Sequence, residues 1–178
     1  MDKLIEAETE HLYLRQWKQA DREPFAKINA DPKVMKFFPS TLTRVESDAL
    51  ADCFQLEMEK QGWGFWAIES KATKEFIGFV GLKNLSDEFP FSPGVEIAWR
   101  LAFLEWGKGL AFEAANEILC IGFHKLGLKE IVSFTTQANL RSKSLMERLG
   151  MRESGVFEHP KLKDGDPLKR HSLYRLAR

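Results

Sequence analysis

Cysteine is scarce in this chain, with only Cys53 and Cys120 among 178 residues. Two thiols so far apart form neither a disulfide framework nor a zinc-ligand spacing, so no metal is expected and a reducing cytosol suits the composition. Cys120 falls inside an apolar helical pattern and is expected to be a small core residue rather than a nucleophile. Net charge is also lacking. The 26 Lys and Arg cancel the 26 Asp and Glu, leaving no global field to hold a polyanion, which argues against nucleic acid. No apolar run approaches the length of a membrane span, and the opening Met1-Asp2-Lys3-Leu4-Ile5-Glu6 lacks the apolar core of a secretory signal. No membrane partner and a cytoplasmic location are therefore expected. Neither a Gly-x-Gly-x-x-Gly run nor a Gly-Lys-Ser/Thr loop occurs, which sets dinucleotide and NTP sites aside. The absence of repeats, low-complexity stretches and linkers points to one domain over residues 1–178.

What is present is an ordinary globular balance, 44% hydrophobic and 29% charged, with 14 Phe and 5 Trp to fill an interior. Strand patterns occur at His11–Trp17, Gly64–Glu69, Glu75–Leu82, Val95–Phe103, Glu130–Thr136, Met151–Phe157 and Leu168–Leu176. Asp21 is placed to cap a helix toward Asn29, and a short helix is expected through Met35 before the aromatic loop Phe37-Phe38-Pro39. Leu50, Phe54 and Met58 recur at four-residue steps between Arg44 and Lys60, a helix that Gly62 stops. A longer helix is expected from Gly107 to Leu126 with a buried stripe of Ala111, Ala114, Ala115, Ile118, Leu119, Gly122 and Leu126, and another from Leu140 to Leu149. The class is α/β.

Trp106-Gly107-Lys108-Gly109-Leu110-Ala111 stands where a strand ends and the long helix begins. Glycine permits a tight turn and close approach of a ligand, while the free amides and dipole of a helix start favour phosphate oxygens. A plain strand-to-helix connection would read the same way. The second informative stretch, Asn139-Leu140-Arg141-Ser142-Lys143-Ser144-Leu145-Met146-Glu147-Arg148-Leu149-Gly150-Met151, also follows a strand.

Together, Glu96–Ala111 and Asn139–Met151 resemble the GNAT superfamily of N-acetyltransferases, and in particular the branch of ribosomal-protein N-terminal alanine acetyltransferases. The resemblance extends from Glu8 to Tyr174. It implies a single-domain GNAT-like fold, with a central mixed twisted sheet whose two parallel strands splay and helices on its flanks. The cosubstrate implied is acetyl-CoA. Backbone groups of Leu101, Ala102 and Phe103 would meet the pantetheine arm. Amides of Trp106, Gly107, Lys108, Gly109, Leu110 and Ala111 would hold the pyrophosphate, and Asn139 would contact pantetheine from the neighbouring element.

The same resemblance implies acetyl transfer to a primary amine of a protein N-terminus or a small molecule. Glu96 would act as base, directly or through water, unless it only orders the acceptor or faces solvent. Many relatives carry a tyrosine acid where this chain has Met146. Ser142, which matches a serine in the branch, would then protonate the departing thiolate, or serve only as a first-turn helix residue. A second departure is Ala102-Phe103, where the branch commonly has histidine and proline. Phe37, Phe38, Trp63, Trp66 and Trp99, with His159 and His171, could line an acceptor pocket or belong to the core. The rivals are a non-catalytic acyl-CoA-binding sensor and a phosphate-binding interaction domain. An exposed sheet edge or aromatic surface could support a homodimer.

Overall fold

A computed structural model describes residues 6–178, so the chain start Met1–Ile5, read above for its lack of a secretory signal, lies outside them. Eight strands form one sheet: β1 (Ala7–Glu8), β2 (Leu12–Arg15), β3 (Phe65–Ser70), β4 (Phe76–Asn84), β5 (Val95–Leu101), β6 (Glu130–Thr136), β7 (Arg152–Glu158) and β8 (Arg170–Ala177). Their spatial order is β1-β2-β3-β4-β5-β6-β8-β7. Every neighbouring pair is antiparallel except β5 and β6, which run parallel. The helices are α1 (Arg22–Ala30), α2 (Arg44–Gln61), α3 (Leu110–Cys120) and α4 (Leu140–Arg148).

The two-residue alternation of the strands assigns each face its own core. Trp66 and Ile68 on β3, with Val95, Ile97 and Leu101 on β5, pack with Ala114, Ala115 and Ile118 of α3 and Met146 of α4. Phe65 and Ala67 face the other way and join Phe25 and Ile28 of α1 and Phe54 of α2, with Ala98 of β5 at the edge. The second core is largely aromatic. Phe54, Phe65 and Phe79 meet pairwise at centroid distances of 4.6 to 5.1 Å, and the Trp17 indole donates to the Phe65 carbonyl at 2.8 Å.

Local chemistry fixes the ends of these elements. Thr43 and Glu46 form a reciprocal cap at the start of α2, and Gly62 in the left-handed region (φ 80°) ends it. Arg15 donates two bonds to Asp21 at 2.8 and 2.9 Å and one to Glu69 at 2.6 Å, tying the turn before α1 to β2 and β3. β4 and β3 approach so closely that a Cβ on Gly81 would lie 2.0 Å from the Gly64 carbonyl oxygen.

Several expected boundaries move. The short helix through Met35 is only a series of turns. β5 ends at Leu101, not Phe103, because Phe103–Glu105 winds into a 3-10 turn. The long helix starts at Leu110 rather than Gly107, since Gly109 adopts φ 81°, and beyond Cys120 a π-helical turn, Ile121–Lys125, replaces the α-helix. Cys120 is exposed and not a core residue, because α3 buries Ile118 and Leu119, the π-helical turn buries Ile121, and residue 120 is turned away. The register at Gly81 yields a stability test. Gly81→Ala should cost about 3 kcal/mol or more in denaturant unfolding, since backbone rather than a flexible side chain obstructs the added methyl.

Candidate active site

β5 and β6 share one paired position, Glu96 with Val132. Just beyond it the Ser133 hydroxyl donates to the Ile97 carbonyl at 2.9 Å. From there β5 stays with β4 as far as Leu101, while β6 stays with β8 as far as Thr136. The facing edges of the two strands are therefore not joined by a ladder. An extended ligand carrying amides can satisfy such an edge as an added strand would.

The open end of this fork leads into the two stretches singled out in the sequence. After β5, Gly107 (φ 78°) and Gly109 (φ 81°) turn the chain into α3, and a Cβ on either would meet nothing within 4 Å. The first helical bond runs from Glu113 N–H to the Gly109 carbonyl. Gly109 supplies no side-chain cap, so the amides of Leu110, Ala111 and Phe112 have no partner within the helix. An open concave turn with free amides fits a diphosphate. Arg141 of α4 lies 4.8 Å from the centroid of the Trp106 ring and brings a cation to the same loop, while Lys108 is paired with Glu105 at 3.0 Å.

After β6, Asn139 caps α4 by accepting from the Ser142 amide at 3.3 Å. Its amide nitrogen donates to the Thr135 hydroxyl at 3.0 Å and to the Ser142 hydroxyl at 3.1 Å. Ser142 thus receives a hydrogen bond on oxygen, and its own hydroxyl proton has no acceptor among the described residues.

Glu96 is half-buried where the strands part. It lies on the α1/α2 face with Ala98 and Arg100, since Val95 and Ile97 face α3. Burial pushes its pKa up to about 7, opposed by the positive charges of Lys83, its partner across the strand pair, and Lys161, and reinforced by Glu57 of α2. Such a carboxyl is poised to exchange a proton near neutrality.

Residues 11–152 match the acetyltransferase (GNAT) domain family. The chain belongs to the GNAT acetyltransferases. As an acetyl-CoA-dependent N-acetyltransferase it is similar to the uncharacterized N-acetyltransferase YoaA of Bacillus subtilis, 28% identical over 165 residues that cover 90% of each chain. Its fold is similar to that of a GNAT-family acetyltransferase from Bacillus anthracis, with a TM-score of 0.81 at 22% identity, covering 97% of this chain and 98% of the other. It is also similar to RimL, a ribosomal L7/L12 alpha-N-protein acetyltransferase in complex with coenzyme A, with a TM-score of 0.76 at 13% identity, covering 95% of both chains.

In this GNAT chain the groups of Leu101–Phe103 are partly engaged already. The Trp106 indole donates to the Leu101 carbonyl at 3.0 Å, and the Ala102 amide donates to Ile77 at 2.9 Å. Met146 is buried against α3. Among the aromatic candidates, Trp66 is wholly inside, and Trp63 and Trp99 back onto the same α3-side core. Phe38 is exposed and flanks Arg100. His159 and His171, 4.9 Å apart between centroids, join Phe134 and Phe157 in a cluster beside the last hairpin, where burial lowers both their pKa values, that of His159 to about 4.

Arg100, Lys161 and the Phe134–Phe157 cluster were not singled out in the sequence. Arg100 shares the parity of Glu96, a signal visible in Glu96-x-Ala98-x-Arg100 but identical to that of a solvated strand face. The raised pKa of Glu96 carries a sign. Between the ordinary carboxylate range and pH 7 the folded chain holds a proton that the unfolded chain has lost, so ionisation through that window destabilises the fold. Glu96→Gln should be more stable than the parent at pH 8, on the order of 2 kcal/mol, and the difference should vanish below about pH 4 in paired thermal melts.

Proposed function

We propose that the chain carries an acetyl group from acetyl-CoA to a primary amine by direct attack in a ternary complex, with Glu96 receiving the amine proton. The observation that carries this reading is the fork itself. A carboxyl whose pKa is about 7 stands at its closed end, and free helix-start amides stand at its open end.

Bound acetyl-CoA would supply an activated thioester carbonyl. Leu110, Ala111 and the loop from Trp106 would hold its diphosphate, with Arg141 adding charge. The unpaired edges of β5 and β6 would align the extended arm, Leu101–Phe103 and Asn139 bounding it.

An amine must be neutral to attack. An α-amine is roughly 10–20% neutral at pH 7, whereas a lysine-type amine costs about 4–5 kcal/mol to deprotonate. Glu96 in its ionised form accepts the proton, directly or through one water, as the new N–C bond forms. As the C–S bond breaks, the Ser142 hydroxyl donates toward the thiolate, oriented by the Asn139 amide on its oxygen. A thiol with a pKa near 8.5 leaves without a strong acid, so Met146 in place of tyrosine is compatible with turnover.

The decisive assay measures CoA released from acetyl-CoA with and without peptide N-termini and small amines. Amine-dependent release is expected, with a rate rising around pH 7 and falling by about 10²-fold or more in Glu96→Gln. Gly107→Ala with Gly109→Ala should weaken acetyl-CoA binding by about tenfold through strain on the loop. Binding without turnover against any amine would favour the sensor, and absence of binding by the folded chain would overturn the reading.

A further inference from the structure

Arg100 is a half-buried cation with no anion beside it among the described residues. Its Nη1 donates to the Asn29 side-chain oxygen at 2.6 Å, and its guanidinium lies 4.4 Å from the Phe38 centroid and 5.4 Å from that of Phe79. Nε is buried and bonded to nothing, and no carboxylate among the described residues pairs with the group. Asn29 is itself wholly buried and held from behind, its amide donating to the Ser47 hydroxyl at 2.9 Å. The side-chain oxygen of Asn29 is thereby turned toward Arg100, which fixes the guanidinium.

An isolated guanidinium in such surroundings is costly to bury. Desolvation lowers its pKa to about 10, which leaves it charged at neutral pH. Elsewhere the chain pairs a half-buried arginine, since Arg15 meets both Asp21 and Glu69. Between Arg100 and Glu96 on the same face stands only the methyl of Ala98, and their Cα atoms are about 13 Å apart along an extended strand.

We infer that Arg100 selects the acceptor: the amine that reaches Glu96 carries a carboxylate several bonds away, which the guanidinium receives through Nη2, the nitrogen that is neither bonded nor buried. This rests on the transferase reading for the role of Glu96. The chemistry is shared by a free amino acid with a long amine-to-acid spacing and by an acidic residue near a peptide N-terminus. A planar guanidinium suits the two oxygens of a carboxylate, and the buried Phe79 ring beside it gives the contact an apolar backing. Ala98 puts only a methyl group between Glu96 and Arg100 along the strand. Arg100 is thus a specificity-determining residue with no share in the bond-making step.

The test uses glutarate as an unreactive carboxylate probe and glutaramide as its neutral control, at low ionic strength, on the full chain, Arg100→Met and Arg100→Lys. Glutarate is expected to raise the melting temperature of the parent, to act about tenfold more weakly on Arg100→Lys, and to have no effect on Arg100→Met, while glutaramide moves none of them. Arg100→Met itself should melt no lower than the parent, because an unpaired, half-buried charge has been removed. Equal glutarate shifts in all three proteins, or none in the parent, would overturn the inference, and a glutaramide shift matching that of glutarate would do the same.

Acetyl-CoA added alone should stabilise all three proteins, and its failure to do so would count against the transferase reading instead. In the CoA-release assay, 5-aminopentanoate and a peptide with aspartate at its second position separate the two sources. Whichever reacts should lose at least tenfold in KM, with kcat kept within about threefold, in Arg100→Met, and the corresponding amide should show no such change. An unaltered KM would again overturn the assignment.

Discussion

The separation of β5 from β6 is the constraint on which the rest depends. A parallel pair normally continues its ladder, because unpaired backbone groups in a sheet interior are costly. Here the pair stops after Glu96 and Val132, and each strand is held by its outer neighbour: β5 by seven paired positions with β4, and β6 by seven with β8. The antiparallel halves supply the stability that the parallel junction forgoes. Tight glycine contacts at Gly81 and Gly78 bind β4 to β3 on one side and to β5 on the other, so the fork cannot close by sliding that half of the sheet.

From the fork follows a division of labour between the two faces. The α3/α4 face carries the open loop and the capped serine, both at the carboxyl ends of the parallel strands, where helix starts concentrate free amides. The α1/α2 face carries Glu96 and Arg100, two charged groups set in partly apolar surroundings. Among the described residues neither forms an ion pair, since Lys83 and Lys161 act on Glu96 without bonding to it and the one hydrogen bond of Arg100 goes to Asn29. The interlocked aromatic core beneath them, from Trp17 through Phe79, is the counterweight that lets the fold tolerate both.

Most of this architecture was legible from local signals. Gly62, the Leu50–Phe54–Met58 steps and the strand at Glu130–Thr136 are local properties, and the structure keeps them. Boundaries failed where backbone conformation departs from side-chain periodicity. The left-handed Gly109 delays α3, and the 3-10 turn after Ala102 ends β5 early. Cys120 misled because a strongly apolar helix tolerates an outward small residue without breaking its pattern. At the site, glycine and asparagine positions were readable because they mark turns and caps. The environment of Arg100 was not, since Asn29, Phe38 and Phe79 come to it from three distant parts of the chain.

The two thiols carry a consequence for oxidation chemistry. Both are exposed, Cys53 on α2 and Cys120 at the end of α3, and these helices pack on opposite faces of the sheet. A disulfide requires the two Cα atoms to lie within about 7 Å, which a sheet and two helix radii put out of reach. An oxidant therefore cannot lock this molecule internally. Any cystine it forms must join one copy to another or to a small thiol, which makes each position a separate handle for covalent attachment, one on the α1/α2 side of the sheet and one on the α3 side.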